Sequence, residues 1–171
     1  NPGDESPEIR IKTCNEGQFP YAIVITCSDS RVIPEDIFSA GIGELFTIRV
    51  AGNVIDNHEL GSIEYASGHL GTKLVVVLGH THCGAVGAAI SSDPDGFVKT
   101  ITDQIKAAIG DEKDDYKAGC LNVKNSLRVI REKLNLKEED EIQVVGAMYH
   151  IDSGIVEFID ESRQLVYKPE K

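Results

Sequence analysis

Two apolar runs in the first half of the chain carry no polar alternation. Tyr21-Ala22-Ile23-Val24-Ile25-Thr26 and Lys73-Leu74-Val75-Val76-Val77-Leu78 are short and β-branched. Strands buried on both faces of a parallel sheet have this pattern. Leu45 to Ala51 predicts a strand between them, followed by Gly52-Asn53, and Ile142 to Tyr149 a later one. Asp152-Ser153-Gly154 then turns the chain into a hairpin partner over Ile155–Ile159. Helical signals fill the intervals. Pro34 to Phe38 opens with proline at a first turn, and Asn57 is placed to cap a helix running to Leu70, with Gly71 as its stop. Cys83 to Ile90 starts another helix. Phe97, Ile101, Ile105 and Ile109 recur at every fourth position, which predicts a helix burying that stripe. Past an acidic turn at Asp111–Asp115, Val123, Leu127, Ile130 and Leu134 mark a further helix. Strands alternating with helices predict an α/β fold with a mainly parallel central sheet flanked by helices, and an antiparallel edge strand near the C-terminus. The 171 residues read as one domain, with residues 1–17 as a polar N-terminal arm.

Composition narrows the function classes. The chain has 28 acidic against 17 basic residues, a net charge of −11, and no Lys/Arg cluster, so nucleic acid and anionic membrane are poor partners. No apolar run approaches the roughly 20 residues that span a bilayer. A cytoplasmic protein is expected, with room for a trimmed organelle-targeting segment because the first residue is Asn1. Of the four cysteines, Cys14 and Cys120 stand among ordinary neighbours and read as plain thiols in a reducing compartment. Cys27 and Cys83 do not: each follows an apolar run and has histidine or aspartate beside it.

The first run ends in Cys27-Ser28-Asp29-Ser30-Arg31 and the second in Gly79-His80-Thr81-His82-Cys83-Gly84. If the two strands are parallel in one sheet, both ends open on the edge where such sheets place their ligands. Cys27, His80 and Cys83 then offer two sulfurs and an imidazole, a set suited to Zn²⁺ with one position left open. Asp29 is ambiguous, either a conditional fourth ligand or a carboxylate drawn off the metal by the fork of Arg31, on the same side of an extended segment. Cys83 also begins a helix, whose exposed amides favour a thiolate. His82 competes with His80 for the metal on position alone. His58, His69 and His150 read as surface or capping residues.

Taken together, Cys27 to Val32 and Gly79 to Val86 resemble the paired motifs of the β-class carbonic anhydrases. The resemblance extends over Gly43-Glu44-Leu45-Phe46, Arg49 to Asn53, Ser62 to Ala66, Gly146-Ala147-x-Tyr149 and Gly154-Ile155-Val156. It implies zinc on Cys27, His80 and Cys83, a catalytic Asp29–Arg31 dyad, and reversible hydration of CO2 to bicarbonate and a proton by zinc-bound hydroxide. It further implies that Gln18, Phe46 and Tyr65 line the substrate slot, partly across a dimer interface, with the Gly84 amide near the substrate. A homodimer or a tetramer of dimers follows from the same resemblance. Val24 stands where a bicarbonate-regulated subgroup carries Trp, which places the chain with the unregulated subgroup. The N-terminal arm is shorter than the helices with which the family embraces its partner subunit.

Two other uses of the same site compete: hydrolysis of COS or CS2, and a closed structural zinc in a non-catalytic scaffold subunit. The presence of Arg31 disfavours the scaffold, since a closed site has no use for a group that withdraws its ligand. Gly41-Ile42-Gly43 resembles the start of a dinucleotide fingerprint but lacks the third glycine and precedes a strand. Cys27 and Arg31 stand too close for a phosphatase loop.

Overall fold

The computed structural model describes residues 2–159 and the backbone of residues 165–167. Its chain order is α1 (Pro7–Glu16), β1 (Ala22–Thr26), α2 (Pro34–Ile37), β2 (Leu45–Arg49), a 3₁₀ turn (Ala51–Asn53), α3 (Asn57–Gly68), β3 (Leu74–His80), α4 (Gly84–Ser91), α5 (Gly96–Ile109), α6 (Asp115–Lys133), a second 3₁₀ turn (Glu138–Asp140), β4 (Gln143–Tyr149), β5 (Val156–Ile159) and β6 (Leu165–Tyr167). The strands form one sheet in the order β2-β1-β3-β4-β5-β6. The pairs β1·β2, β1·β3 and β3·β4 are parallel, and β4·β5 and β5·β6 antiparallel. The α/β expectation holds. The hairpin strand β5 is antiparallel as expected, but β6 lies outside it at the edge.

β1 is flanked by β2 on one side and β3 on the other, so the chain reverses its direction of travel across the sheet at β1. That reversal leaves a crevice at the carboxyl ends of β1 and β3, because the connections leaving them diverge. All five residues of β1 are buried, as are Val75 to His80 of β3. Side chains on both faces meet helices, which explains the missing alternation. Ile23, Ile25, Val75 and Val77 pack with Ile63, Val123 and Ile130 on one face, while Val24, Val76 and Leu78 pack with Val32, Ala147 and Val156 on the other.

Several local readings are corrected. The N-terminal arm contains α1, capped by Ser6 and opened by Pro7, though none of its residues is buried. α3 is capped by Asp56, with Glu59 completing a capping box, and Asn57 is the first helical residue. α6 begins at Asp115, inside the stretch read as an acidic turn, because Asp114 caps it. In α5, Ile105 and Ile109 are buried but Phe97 is 93% exposed. A repeat of four drifts about 40° per step around a helix, so Phe97 lies about 120° from Ile109 and leaves the buried face.

Candidate metal centre

β3 extends two residues further than its apolar run, so His80 is the last residue of the strand. Thr26, the last of β1, pairs with Leu78 and donates its hydroxyl to the Leu78 carbonyl at 2.7 Å. This register sets Cys27 beside the end of β3. Cys83 then caps α4 from its N-terminus. One ligand atom from each of Cys27, His80 and Cys83 lies within 4.8 Å of the other two, and all three residues are buried.

The donor set passes a test of fit to a metal. His80 Nδ1 lies 2.8 Å from the Thr81 carbonyl, which can only accept, so Nδ1 carries the proton and Nε2 presents a lone pair. That Nε2 is buried and has no hydrogen-bond partner. An unpartnered buried nitrogen facing two sulfurs is costly unless a cation takes the lone pair. The sulfurs carry the same message. The Cys83 thiol holds Cys27 down to about 4 against burial, with the His80 ring and the amides of Gly52 and Asp29 assisting. Cys83 is pushed up, by the shared proton and by burial, while the Val86 and Ala85 amides work the other way. One proton between two buried sulfurs leaves a single thiolate, and a divalent ion is what allows both to ionise. His80 is raised: burial pulls it down, but the Cys27 sulfur and the Thr81 carbonyl outweigh that.

Asp29 is turned toward Arg31. Arg31 Nε donates to Oδ1 at 3.0 Å and Nη2 to Oδ2 at 2.8 Å. The segment is a turn, not the extended stretch expected: the Val32 N–H reaches the Asp29 carbonyl at 3.0 Å and the Arg31 N–H reaches Oδ1 at 2.9 Å. The side chain of an aspartate opening a turn accepts from the backbone two residues on, so the same bond that folds the turn aims the carboxylate. The guanidinium holds Asp29 far below the usual carboxylate range. Asp29 Oδ2 still lies 3.9 Å from His80 Nε2, at the rim of the cluster.

Two contributors lie in the Arg49–Asn53 motif, but their roles at the metal centre were not read from the sequence. Arg49 Nε donates to the Cys27 carbonyl at 3.1 Å and Nη2 to the Asp29 carbonyl at 2.7 Å, pinning the loop that carries both. The Gly52 N–H donates to Cys27 Sγ at 3.2 Å. His82 is exposed and offers backbone only: its carbonyl accepts from Arg31 at 3.0 Å and its N–H donates to Asp115 at 2.9 Å. His58 is exposed and His69 caps the C-terminus of α3, as expected. His150 is half-buried, 2.9 Å from Glu157 and stacked on Tyr116.

The residues expected to line a substrate slot do not gather at this cluster within one chain. Phe46 pairs with Ile23, four residues before Cys27, so it lies about 13 Å back along the sheet. Tyr65 sits with it, ring centroids 6.0 Å apart, and is 45% exposed. Gln18 is exposed and precedes Pro20, whose carbonyl accepts from Thr72 at the amino ends of the strands. Gly84, the first residue of α4, is adjacent to Cys83 and exposed.

A three-layered α/β molecule with a buried Cys-His-Cys cluster at a sheet's switch point belongs to the class of metal-binding α/β proteins. Residues 22–156 match the family model described as carbonic anhydrase. A carbonic anhydrase of Mycolicibacterium smegmatis is 46% identical over 105 residues, covering 58% of this chain and 51% of that protein. The β-carbonic anhydrase CafA of Aspergillus fumigatus superposes with a TM-score of 0.75 at 30% identity, covering 92% of this chain and 83% of the other. One of two tetrameric β-carbonic anhydrases of Sordaria macrospora gives 0.77 at 25% identity, over 94% and 89% of the two chains. This chain belongs to the β-carbonic anhydrase family. Its match spans about half the length of the mycobacterial relatives.

Proposed function

We propose that this chain, with zinc on Cys27, His80 and Cys83, catalyses the reversible hydration of CO2 to bicarbonate and a proton. The observation that carries the reading is the buried Cys-His-Cys cluster with an unpartnered imidazole nitrogen, beside an acid committed to arginine. Zinc in such a site lowers the pKa of a bound water and so supplies a nucleophile near neutral pH. Cys27 and Cys83 bring two negative charges, so the acidification falls short of the ~7 reached with neutral imidazoles, and activity is expected to rise toward alkaline pH. Asp29, ionised and clamped by Arg31, accepts one hydrogen bond from the reacting oxygen and orients its remaining lone pairs. The fork also keeps Asp29 from closing the coordination sphere. The Gly84 amide serves as a donor to a bicarbonate oxygen at the start of α4.

Gln18, Phe46 and Tyr65 are assigned to the slot of a neighbouring copy. β2 is an edge strand, and Phe19, Tyr21 and Tyr65 expose large apolar surface around the same end of the sheet. An isologous contact through that face carries each copy's slot residues to its partner's metal, giving a dimer or a tetramer of dimers. Among the described residues no helix is long and apolar enough to cross a membrane. The reduced thiols that the ligand set requires support the cytoplasm as its compartment.

Metal analysis and stopped-flow CO2 hydration on one preparation test the reading, with CS2 hydrolysis as a parallel arm. The expected result is one zinc per chain and CO2 turnover that increases with pH. Zinc without CO2 turnover would refute it, and CS2 turnover alone would assign the alternative substrate.

A further inference from the structure

Behind the metal cluster, on the side away from solvent, a polar network joins α6 to the Ala51–Asn53 turn. Asn122 Nδ2 donates to the Gly52 carbonyl at 2.7 Å, and Ser126 Oγ to the Asn53 carbonyl at 2.8 Å. Asn53 Nδ2 returns toward Ser126 Oγ at 3.5 Å. Asn53, Asn122 and Ser126 are all about 2% exposed. On its other side the same turn presents the Gly52 N–H to the Cys27 sulfur at 3.2 Å.

We propose that Asn122 and Ser126 are positioning residues for the metal centre, which hold the Gly52 amide on the Cys27 sulfur by gripping the two carbonyls of the turn. The inference rests on Cys27 being a metal ligand. The turn does not hold this shape alone. Gly52 and Asn53 are consecutive left-handed residues, with φ of 68° and 44°. Such a backbone persists where its surroundings over-determine it. Steric walls do part of this, because a Cβ on Gly52 would stand 2.8 Å from Ile105 Cδ1 and 3.0 Å from Ala85 Cβ. The walls fix where the turn lies, but not its rotation about the chain. The two side-chain donors fix that, since the carbonyls they hold and the amide on the sulfur belong to neighbouring peptide planes. Losing either donor leaves a buried carbonyl unpaired, and the turn rotates to recover a partner.

A hydrogen bond to a ligand sulfur draws charge from the thiolate and aims its lone pair. A purely structural role for Asn122 and Ser126 would change stability and nothing else. The two roles therefore separate on a readout of the metal–sulfur bond.

The test uses Asn122→Ala and Ser126→Ala, with Ile130→Ala as a stability control: Ile130 is a fully buried α6 residue outside the network. Zinc affinity is measured by competition with a chelator, and each protein is also loaded with Co²⁺ to record its sulfur-to-cobalt charge-transfer band. Both network variants are expected to bind zinc about 10–100-fold more weakly, because the ligand sulfur is no longer held in place, and to move the band to longer wavelength, because a thiolate without its hydrogen bond gives up charge to the metal more readily. Ile130→Ala should lose stability with its band in place. Unchanged affinity and band in the network variants would overturn the proposal, and so would the same band shift in Ile130→Ala. If Asn122→Ala does not fold, Ser126→Ala, which deletes a single hydroxyl, carries the test. Wild-type protein that binds neither metal would remove the ligand assignment itself, a result read before any variant is made.

Discussion

Asp29 has two neighbours competing for one carboxylate. The cluster nitrogen is 3.9 Å away, and the arginine donors are at 2.8 and 3.0 Å. The competition is settled by three N–H groups that a single turn brings to bear, one of them backbone. Asp29→Ala is therefore expected to keep its zinc and lose about 10²–10⁴-fold in turnover, the range of a positioned acid–base group. Zinc lost together with activity would show that Asp29 is a ligand. The pH dependence follows from the same geometry. The folded pKa of Asp29 lies below the usual value. The pair's stabilisation is thus complete above the unfolded ~3.9 and is lost only as pH falls through the depressed folded value. Carboxyl-carbon NMR should show Asp29 ionised below ~3.9 in the wild type and titrating at distinctly higher pH in Arg31→Gln, which keeps only the backbone donor. An unchanged midpoint in that variant would contradict the role of the fork.

At the scale of elements, α6 is the support of the site. It covers β3 and β4, receives the His82 amide on Asp115, and sends Asn122 and Ser126 under the metal loop. Its approach is close because β3 carries Gly79 next to His80. A Cβ there would stand 2.5 Å from Val123 Cγ2 and 2.7 Å from Met148 Sδ. Gly79→Ala must push α6 or Met148 outward and is expected to cost about 1–3 kcal/mol by urea unfolding, the range for overpacking a core. Unchanged stability would mean that the β3–α6 contact is looser than its geometry implies. The strained Ala51–Asn53 turn plays the complementary part from the other side, touching α5 through Ile105 and α4 through Ala85.

At the scale of the molecule, one chain holds the metal cluster at the carboxyl ends of its strands, and the residues proposed for the substrate slot lie toward the amino ends. The proposed assembly in trans has a distinctive consequence. His80→Ala lacks a metal ligand, and a Phe46→Ala, Tyr65→Ala double variant lacks the slot, so each alone should be inactive. Unfolded together and refolded in equal amounts, half of the dimers are mixed and each mixed dimer rebuilds one whole site. Activity should return to about a quarter of wild type. No recovery, with mixed dimers present by native mass spectrometry, would place the slot within a single chain.

Much of this was legible in the residues. Buried parallel strands announce themselves as unbroken β-branched runs, and here chemistry-bearing residues stand within two positions of the ends of such runs, at Cys27 and His80. The ligand types and their spacing thus defined both the candidate metal and the sheet edge that holds it. Helices with one apolar stripe could be read, except where the stripe drifted, at Phe97. The polar start of α6 resembled a turn because Asp114 and Asp115 suit a cap as well as a loop. The sequence could not yield anything that depends on which distant groups meet. The turn at Asp29, the Arg49 clamp on two carbonyls and the amide on the Cys27 sulfur each join a side chain to a backbone group, and side-chain identity does not say which backbone group will be met. Asn122 and Ser126 left only a faint signal, two polar residues four apart on the buried face of an amphipathic helix. Sequence determined which atoms were available to bind a metal. Tertiary structure decided which of them would be left without a partner, because an unpaired lone pair depends on everything packed around it.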